Sequence, residues 1–313
     1  MSITQPGQPG GFTQPDPGWV AAYDEPGTPP AWSAGHGRFD PHDPLISADY
    51  AGWWARGWAA LAANWRPLLA LQLIGLVIGL VVVAPADVFV ALADRDASLA
   101  GEPVGAVRHA VAGGSGLLAA IPQLLLTLAG IRLIVAVAAG GQARLGRELA
   151  AAARRMLPAL GWFAVGSIII VAALFACLLP VFYVGAVLLI LPAVVVFERT
   201  GAISRCFRLF NGDLGAAAGR TATMIGLVIA ILVAATVLSE LVAFAIRSVG
   251  TASDTGTVVA ATLASTIIFL IAEALYGLIL IPFTVVTYAD LRARYEPVST
   301  KTLARGLGSG SRT

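Results

Sequence analysis

A run of 42 residues from Met156 to Phe197 contains no Asp, Glu, Lys or Arg, and it constrains the fold more than any other feature of the sequence. As a single helix the run would be about 63 Å long, twice the roughly 30 Å thickness of a bilayer's hydrocarbon core. It must therefore fold back on itself, and Pro180 marks the expected turn because proline interrupts a helix. This pattern predicts two membrane-spanning helices.

The composition of the whole chain also indicates that the protein is partly surrounded by lipid. Hydrophobic residues make up 58% of the sequence and charged residues 12%, and the mean hydropathy is +0.81. A water-soluble core of this size cannot bury so much apolar surface, so part of the surface must face lipid. Soluble enzymes and nucleic-acid-binding proteins are disfavoured, the latter also because the net charge is only +2. Two cysteines make no secreted disulfide framework.

The apolar segments predict an all-α integral membrane protein with about six transmembrane helices arranged as three hairpins. A spanning helix needs about 20 mainly apolar residues. Counts of five or seven are the alternatives, because the fourth segment is short and has weak boundaries. The predicted spans are residues 67–90, 115–139, 158–179, 181–197, 221–246 and 260–288.

The distribution of basic residues predicts the orientation. With six spans both termini lie on one side of the membrane, and 16 of the 20 basic residues fall on that side. Only Arg95, Arg108 and Arg247 fall on the other side, and Arg132 lies within a span. Loops rich in Arg and Lys stay on the cytoplasmic side of a membrane. We therefore expect a plasma-membrane protein with cytoplasmic N- and C-termini.

The membrane domain is predicted to cover residues 48–297, between two tails. Residues 1–47 read as a disordered cytoplasmic tail, because residues 1–44 hold nine of the 18 prolines and too few apolar residues to bury a core. No apolar segment follows Met1, so a cleaved signal peptide is not expected. Aromatic residues spaced along the tail suggest docking to a protein partner, although a solvated tail is the simpler interpretation. Residues 298–313 read as a flexible C-terminal tail.

Three segments that precede hairpins share an amphipathic register. Each places apolar side chains at i, i+4, i+7 and i+11, which lie on one face of an α-helix. We interpret them as interfacial helices whose Trp and Phe rings anchor in the headgroup layer, although any packed amphipathic helix shows the same spacing. The register residues are Trp54, Trp58, Leu61 and Trp65, then Leu145, Leu149, Ala152 and Met156, then Ile203, Phe207, Phe210 and Leu214.

A few polar residues interrupt the predicted spans and are the candidate intramembrane sites. The candidates are Arg132, Glu240, Glu273 and Gln123, and Asp87 lies near the outer end of the first span. A charge at mid-bilayer is costly unless it has a partner or lines a water-filled space. The residues therefore predict either structural contacts between helices, which is the favoured interpretation, or a hydrated cavity that admits a headgroup or a proton. A direct Arg132–Glu273 pair requires an offset between the helices.

Three short motifs carry a resemblance to a known family. They are Phe197–Gly201, Arg205–Gly212 and Tyr288–Glu296. In these motifs the sequence resembles bacterial six-helix integral membrane proteins related to the membrane domain of glycerophosphoryl diester phosphodiesterases, over about residues 48–297. The resemblance implies an architecture and no activity, because the metal-binding residues of the phosphodiesterase domain are missing. In physical terms, the charges at Arg292 and Arg294 are candidate anchors that fix the depth of the last helix.

No sequence motif predicts catalysis. The chain has no HExxH, P-loop or GxSxG sequence and no histidine in a predicted span. We therefore expect a non-enzymatic protein without a metal or a cofactor, whose partner is membrane lipid and not nucleic acid. The leading hypothesis is a structural, scaffold or regulatory role, and the alternative is a transporter or permease for a small molecule or lipid. The sequence leaves the oligomeric state open.

Overall fold

The computed structural model describes residues 39–101, 105–176, 178–198, 201–250 and 254–309. Within these ranges the chain forms ten helices and no strand. The helices are α1 (Tyr50–Ala100), α2 (Ala106–Ala138), α3 (Leu145–Ala153), α4 (Met156–Ala176), α5 (Leu178–Leu188), α6 (Leu191–Phe197), α7 (Ala202–Gly212), α8 (Leu214–Val249), α9 (Thr255–Ala293) and α10 (Thr300–Ser309).

Six helical segments of the described chain are long and apolar enough to cross a membrane. They are α1, α2, α4, the stretch Pro180–Phe197 that contains most of α5 and all of α6, α8 and α9. Each overlaps one predicted span, so the six-span architecture is confirmed. The long helices extend beyond the bilayer, since α1 alone is about 76 Å long at 1.5 Å per residue.

The helices pair as hairpins, and α1, α2, α8 and α9 form the main bundle. Consecutive partners α1 and α2, α4 and α5, and α8 and α9 pack together, and α1 also packs along most of α9. Glycine permits this close approach, because a Cβ atom at Gly79 of α1 would lie 2.5 Å from Leu270 Cδ2 of α9. Gly75, one turn earlier, instead faces Gln123 of α2.

Two of the three predicted interfacial segments are separate helices. Helix α3 ends at the Arg154–Arg155 turn before α4, and α7 ends at Asp213, whose side chain accepts the N–H of Ala216 at 3.1 Å and caps α8. The first segment differs, because residues 50–66 continue through Pro67 into one helix, α1. The residues on both sides of Pro67 pack against α9, which holds the two parts in line.

The predicted aromatic anchors divide into exposed and packed side chains. Trp58 and Trp65 keep 37% and 48% of their surface exposed, as membrane-surface anchors would. Trp54 packs in a cluster with Trp53, Trp58 and Phe283, at ring distances of 5.3 to 6.1 Å.

The aromatic side chains of α7 pack mainly against other residues of the protein. Phe210 is buried against the core, with its ring 5.8 Å from that of Tyr183, and the half-buried ring of Phe207 lies 6.0 Å from the same ring. The assignment of Phe210 as a lipid anchor was therefore wrong, because the apolar face of α7 packs against neighbouring helices.

The membrane domain includes parts of both predicted tails. Leu45 and Ile46 are buried, and Asp43 accepts hydrogen bonds from the backbone N–H groups of Leu45 and Thr300, at 2.9 and 2.8 Å. Residues 39–47 and α10 are thereby tied to each other, which the polar composition of these segments does not indicate. The predicted disorder and partner docking of residues 1–38 lie outside the described residues.

Candidate intramembrane cavity

A cavity of about 1240 Å³ lies among α1, α2, α4 and α9. It exceeds the range of about 300 to 1,000 Å³ that is typical of small-molecule pockets. Pro192 of α6 and Arg247 of α8 complete the lining. Because all four main walls belong to helices able to span a membrane, the cavity lies within the membrane domain.

The lining is largely apolar, with a limited set of polar groups. Apolar side chains such as Leu117, Ile121, Leu160 and Leu270 form most of the walls. The polar groups are contributed mainly by α1, α2 and α9, and they include Asp87, Asp94, Gln123, Thr127, Thr266 and Glu273. An apolar wall with a few placed polar groups is the usual construction of a ligand pocket.

Glu273 is the most deeply placed carboxylate of the cavity. It lies near the middle of α9, about 27 Å from Thr255 and about 30 Å from Ala293 along the helix axis. Its side chain is half-buried and lines the cavity. Among the described residues, none donates a hydrogen bond to it or forms an ion pair with it. A ligand in the cavity can therefore reach this carboxylate.

A second acidic residue of the lining, Asp87, is hydrogen-bonded to α9. The Thr266 hydroxyl donates a hydrogen bond of 2.7 Å to Asp87 Oδ2 and so joins α9 to α1. About two helical turns further along α1, Asp94 forms an ion pair with Arg108 Nη1 at 3.3 Å. Arg247 is the one basic side chain among the described residues of the lining. The lining is thus richer in acidic groups than in basic ones.

Gln123 joins the cavity to a buried polar contact between α1 and α2. Its Nε2 donates to Gln72 Oε1 at 3.4 Å, and Gln72 is almost fully buried. Gly277 of α9 makes space for this amide, since a Cβ atom there would lie 2.8 Å from Gln72 Oε1. The Gln72 Nε2 atom has no hydrogen-bond partner among the described residues.

The other two predicted intramembrane residues lie outside the cavity. Arg132 does not pair with Glu273; its Nε forms an ion pair of 3.1 Å with Glu148 Oε2 of α3. The long arginine side chain reaches towards the end of α2, where α3 packs against it. Glu240 is exposed on α8 and does not line the cavity.

A cluster of ion pairs closes the opposite end of the bundle, where α1 begins and α9 ends. Arg220 of α8 pairs with Asp290 of α9, and their side chains are only 2% and 0% exposed. Asp290 also accepts the backbone N–H of Ser47 at 2.8 Å. The sequence shows both charges, but it does not indicate that they meet, because they are 70 residues apart.

A second network at this end joins α7 to the end of α9. Arg205 Nε contacts Glu198 Oε1 at 2.8 Å, and Arg205 also pairs with Glu296. Burial lowers the pKa of Arg205, but the hydrogen bonds to Glu198 and Glu296 outweigh it and raise that pKa. Burial raises the pKa of Glu296, but the hydrogen bonds from Arg292 and Arg205 prevail, and its pKa lies below the ordinary value.

Both predicted arginine anchors of α9 are part of these contacts. Arg292 Nε lies 2.8 Å from Glu296 Oε2, and its Nη1 donates to the Tyr288 hydroxyl at 2.9 Å. Arg294 pairs with Asp213 and donates to the Ala48 carbonyl oxygen at 3.0 Å. These two arginines therefore fix the end of α9 by binding other parts of the protein.

Sequence reasoning missed several residues of the cavity. Thr266, Phe269 and Tyr276 lie on the same face of α9 as Glu273, at spacings of three, four or seven residues. That spacing is the signal that could have indicated them. Among the described residues, no group of three or more His, Cys, Asp or Glu side chains is arranged to hold a metal ion. The arrangement is suited to binding a small molecule.

Comparisons of the chain with protein-family models, with curated proteins and with solved structures find no match. The resemblance to six-helix proteins related to phosphodiesterase membrane domains therefore stays a prediction.

Proposed function

We propose that this chain is a non-enzymatic multi-pass membrane protein that takes up a lipid or another amphipathic small molecule into its intramembrane cavity. The observation that carries the proposal is the placement of Glu273 and Gln123 on the wall of a cavity of about 1240 Å³. Of the two roles considered from the sequence, this one corresponds to the transporter or permease.

Structural and ligand-binding carboxylates in a membrane span are expected to differ in whether they have partners. A purely structural carboxylate in a span is expected to be paired, as Asp290 is. Glu273 has no hydrogen-bond or ion-pair partner among the described residues, and it faces a large space. A space with apolar walls and a polar group at mid-depth suits a molecule with an apolar body and a polar end.

The proposed setting is the plasma membrane, with both termini in the cytoplasm. Contacts support a shared end for the arginine-rich segments, since Ser47 binds Asp290 and Arg205 binds Glu296. At the opposite helix ends, Arg108 pairs with Asp94. The excess of arginine at the shared end supports a cytoplasmic location for it.

Photocrosslinking with an uncharged probe tests whether the cavity is occupied. The protein in lipid nanodiscs is incubated with a long-chain alcohol that carries a diazirine, irradiated, and digested for mass spectrometry. We expect labels on residues 116–127 and 261–276, and loss of those labels in Ala120→Trp, which fills space at an exposed lining position.

The matched control is Val237→Trp, an equally large change on an exposed position of α8 outside the cavity. It should leave the cavity labels unchanged. Labelling spread evenly over the lipid-facing side of α8, unaffected by Ala120→Trp, would reject the proposal and favour the scaffold role.

A further inference from the structure

We propose that the cavity selects positively charged amphiphiles and that the cationic group binds at Glu273, between the rings of Phe163, Phe269 and Tyr276. This inference rests on the proposed function, because it assigns a ligand class to the same cavity. It adds the sign of the ligand's charge and the residues that recognise it.

The described lining of the cavity has more acidic than basic side chains. Asp87, Asp94 and Glu273 are acidic, whereas Arg247 is the one basic side chain in the described lining. Asp94 already pairs with Arg108, and Asp87 accepts a hydrogen bond from Thr266. Glu273 has neither kind of partner among the described residues. A cationic ligand would supply the missing counter-charge in a medium where an isolated charge is costly.

Aromatic side chains line the same cavity as Glu273. Phe269 is four residues before it and Tyr276 three residues after it, so both lie on the same face of α9. Phe163 of α4 lines the same cavity. The faces of aromatic rings attract ammonium and related cations, and more strongly where water is excluded. A carboxylate together with several aromatic rings is therefore suited to a bulky organic cation.

No positively charged side chain of the described lining lies close to Glu273. Arg132 is bound to Glu148 and does not line the cavity. Arg247 lies near the end of α8, about 20 Å along the bundle from Glu273 by helical rise. An anionic ligand would thus meet the Glu273 carboxylate without a balancing cation.

The test compares tetraphenylphosphonium with tetraphenylborate, two hydrophobic ions of the same shape and opposite charge. Binding of each labelled ion to the full-length protein in nanodiscs is measured against empty nanodiscs of the same lipid. We expect saturable binding of tetraphenylphosphonium only. In Glu273→Gln, loss of the charged partner should weaken that binding at least about tenfold.

Glu240→Gln is the matched control, because it removes a carboxylate from a span outside the cavity. It should bind tetraphenylphosphonium like the unmodified protein. Size-exclusion elution of both variants at the unmodified position verifies that each is folded. Equal weakening in the two variants would assign the effect to general membrane charge and overturn the inference.

The two proposals fail in different ways. If the uncharged photoprobe labels the cavity but both ions bind equally, or neither binds, the cavity is a binding site and the cation inference is wrong. If the photoprobe does not label the cavity and neither ion binds, the proposed function is wrong and the inference falls with it. Selective binding of tetraphenylphosphonium that is lost in Glu273→Gln supports both.

Discussion

The two halves of the bundle differ in how completely their carboxylates are paired. At the arginine-rich end, which comprises Ser47, α7, the start of α8 and the end of α9, each of Asp290, Glu198 and Glu296 contacts an arginine. In the cavity half, Glu273 faces open space and has no partner in the part of the chain that the structure describes. Paired charges connect helices, whereas an unpaired charge on a cavity wall is available to a ligand. Under the proposed function, one end maintains the fold and the other half binds the ligand.

The largest expected effect comes from breaking the pair between Arg220 and Asp290. In Asp290→Asn, Arg220 is left buried without its counter-charge, which costs about 3–5 kcal/mol of unfolding free energy. Unfolding in mixtures of mild and denaturing detergent measures the loss. Replacing both residues, as Arg220→Met with Asp290→Leu, should recover most of the stability. A loss below about 1 kcal/mol in Asp290→Asn would contradict the structural role of this end.

The next effect compares two glycines, one in a packed region and one on the cavity wall. At Gly277 a Cβ atom would press against the Gln72 amide, so Gly277→Ala should cost about 1–3 kcal/mol by overpacking. At Gly116 nothing lies within 4 Å of a Cβ atom, so Gly116→Ala should be neutral or slightly stabilising. The same detergent unfolding measures both variants. Equal losses would mean that the cavity wall is as tightly packed as the helix contacts.

A smaller effect is the pH dependence of the arginine-rich end. Because the pKa of Glu296 is lowered in the folded protein, its contribution to stability is present above its unfolded pKa of about 4.3. The contribution is lost as the pH falls through the lower folded pKa. Unfolding measured from pH 7 down to pH 3 should show this loss, and Glu296→Gln should remove its part of the slope. An unchanged slope in the variant would disprove the assignment.

The smallest effect is expected for Glu273→Gln on stability. Since the carboxylate has no partner among the described residues, the change should alter the unfolding free energy by no more than about 0.5 kcal/mol. Asp290→Asn is the matched comparison, because each variant replaces a carboxylate with the corresponding amide. A loss above about 2 kcal/mol in Glu273→Gln would show that this carboxylate is structural.

The sequence predicts the span count well because hydrophobic length is a local property. Charge-free runs locate the helices, and Pro180 lies at the start of the fourth candidate span. The partners of polar residues depend on packing between distant helices. The sequence therefore singles out Arg132 and Glu273, but the Arg132–Glu148 contact and the exposed position of Glu240 required the folded arrangement. Residues 39–47 pack because Asp43 meets Thr300, which no local pattern indicates.

The most direct test of the open cavity is thiol accessibility at matched positions. In a background with Cys177→Ser and Cys206→Ala, Ala120→Cys on the cavity wall and Val237→Cys on the outside of α8 are exposed to a charged, water-soluble methanethiosulfonate reagent. The account predicts fast modification at position 120 and almost none at position 237, where lipid excludes the reagent. Equal rates at the two positions, or no reaction at position 120, would contradict an open, water-accessible cavity within the membrane domain.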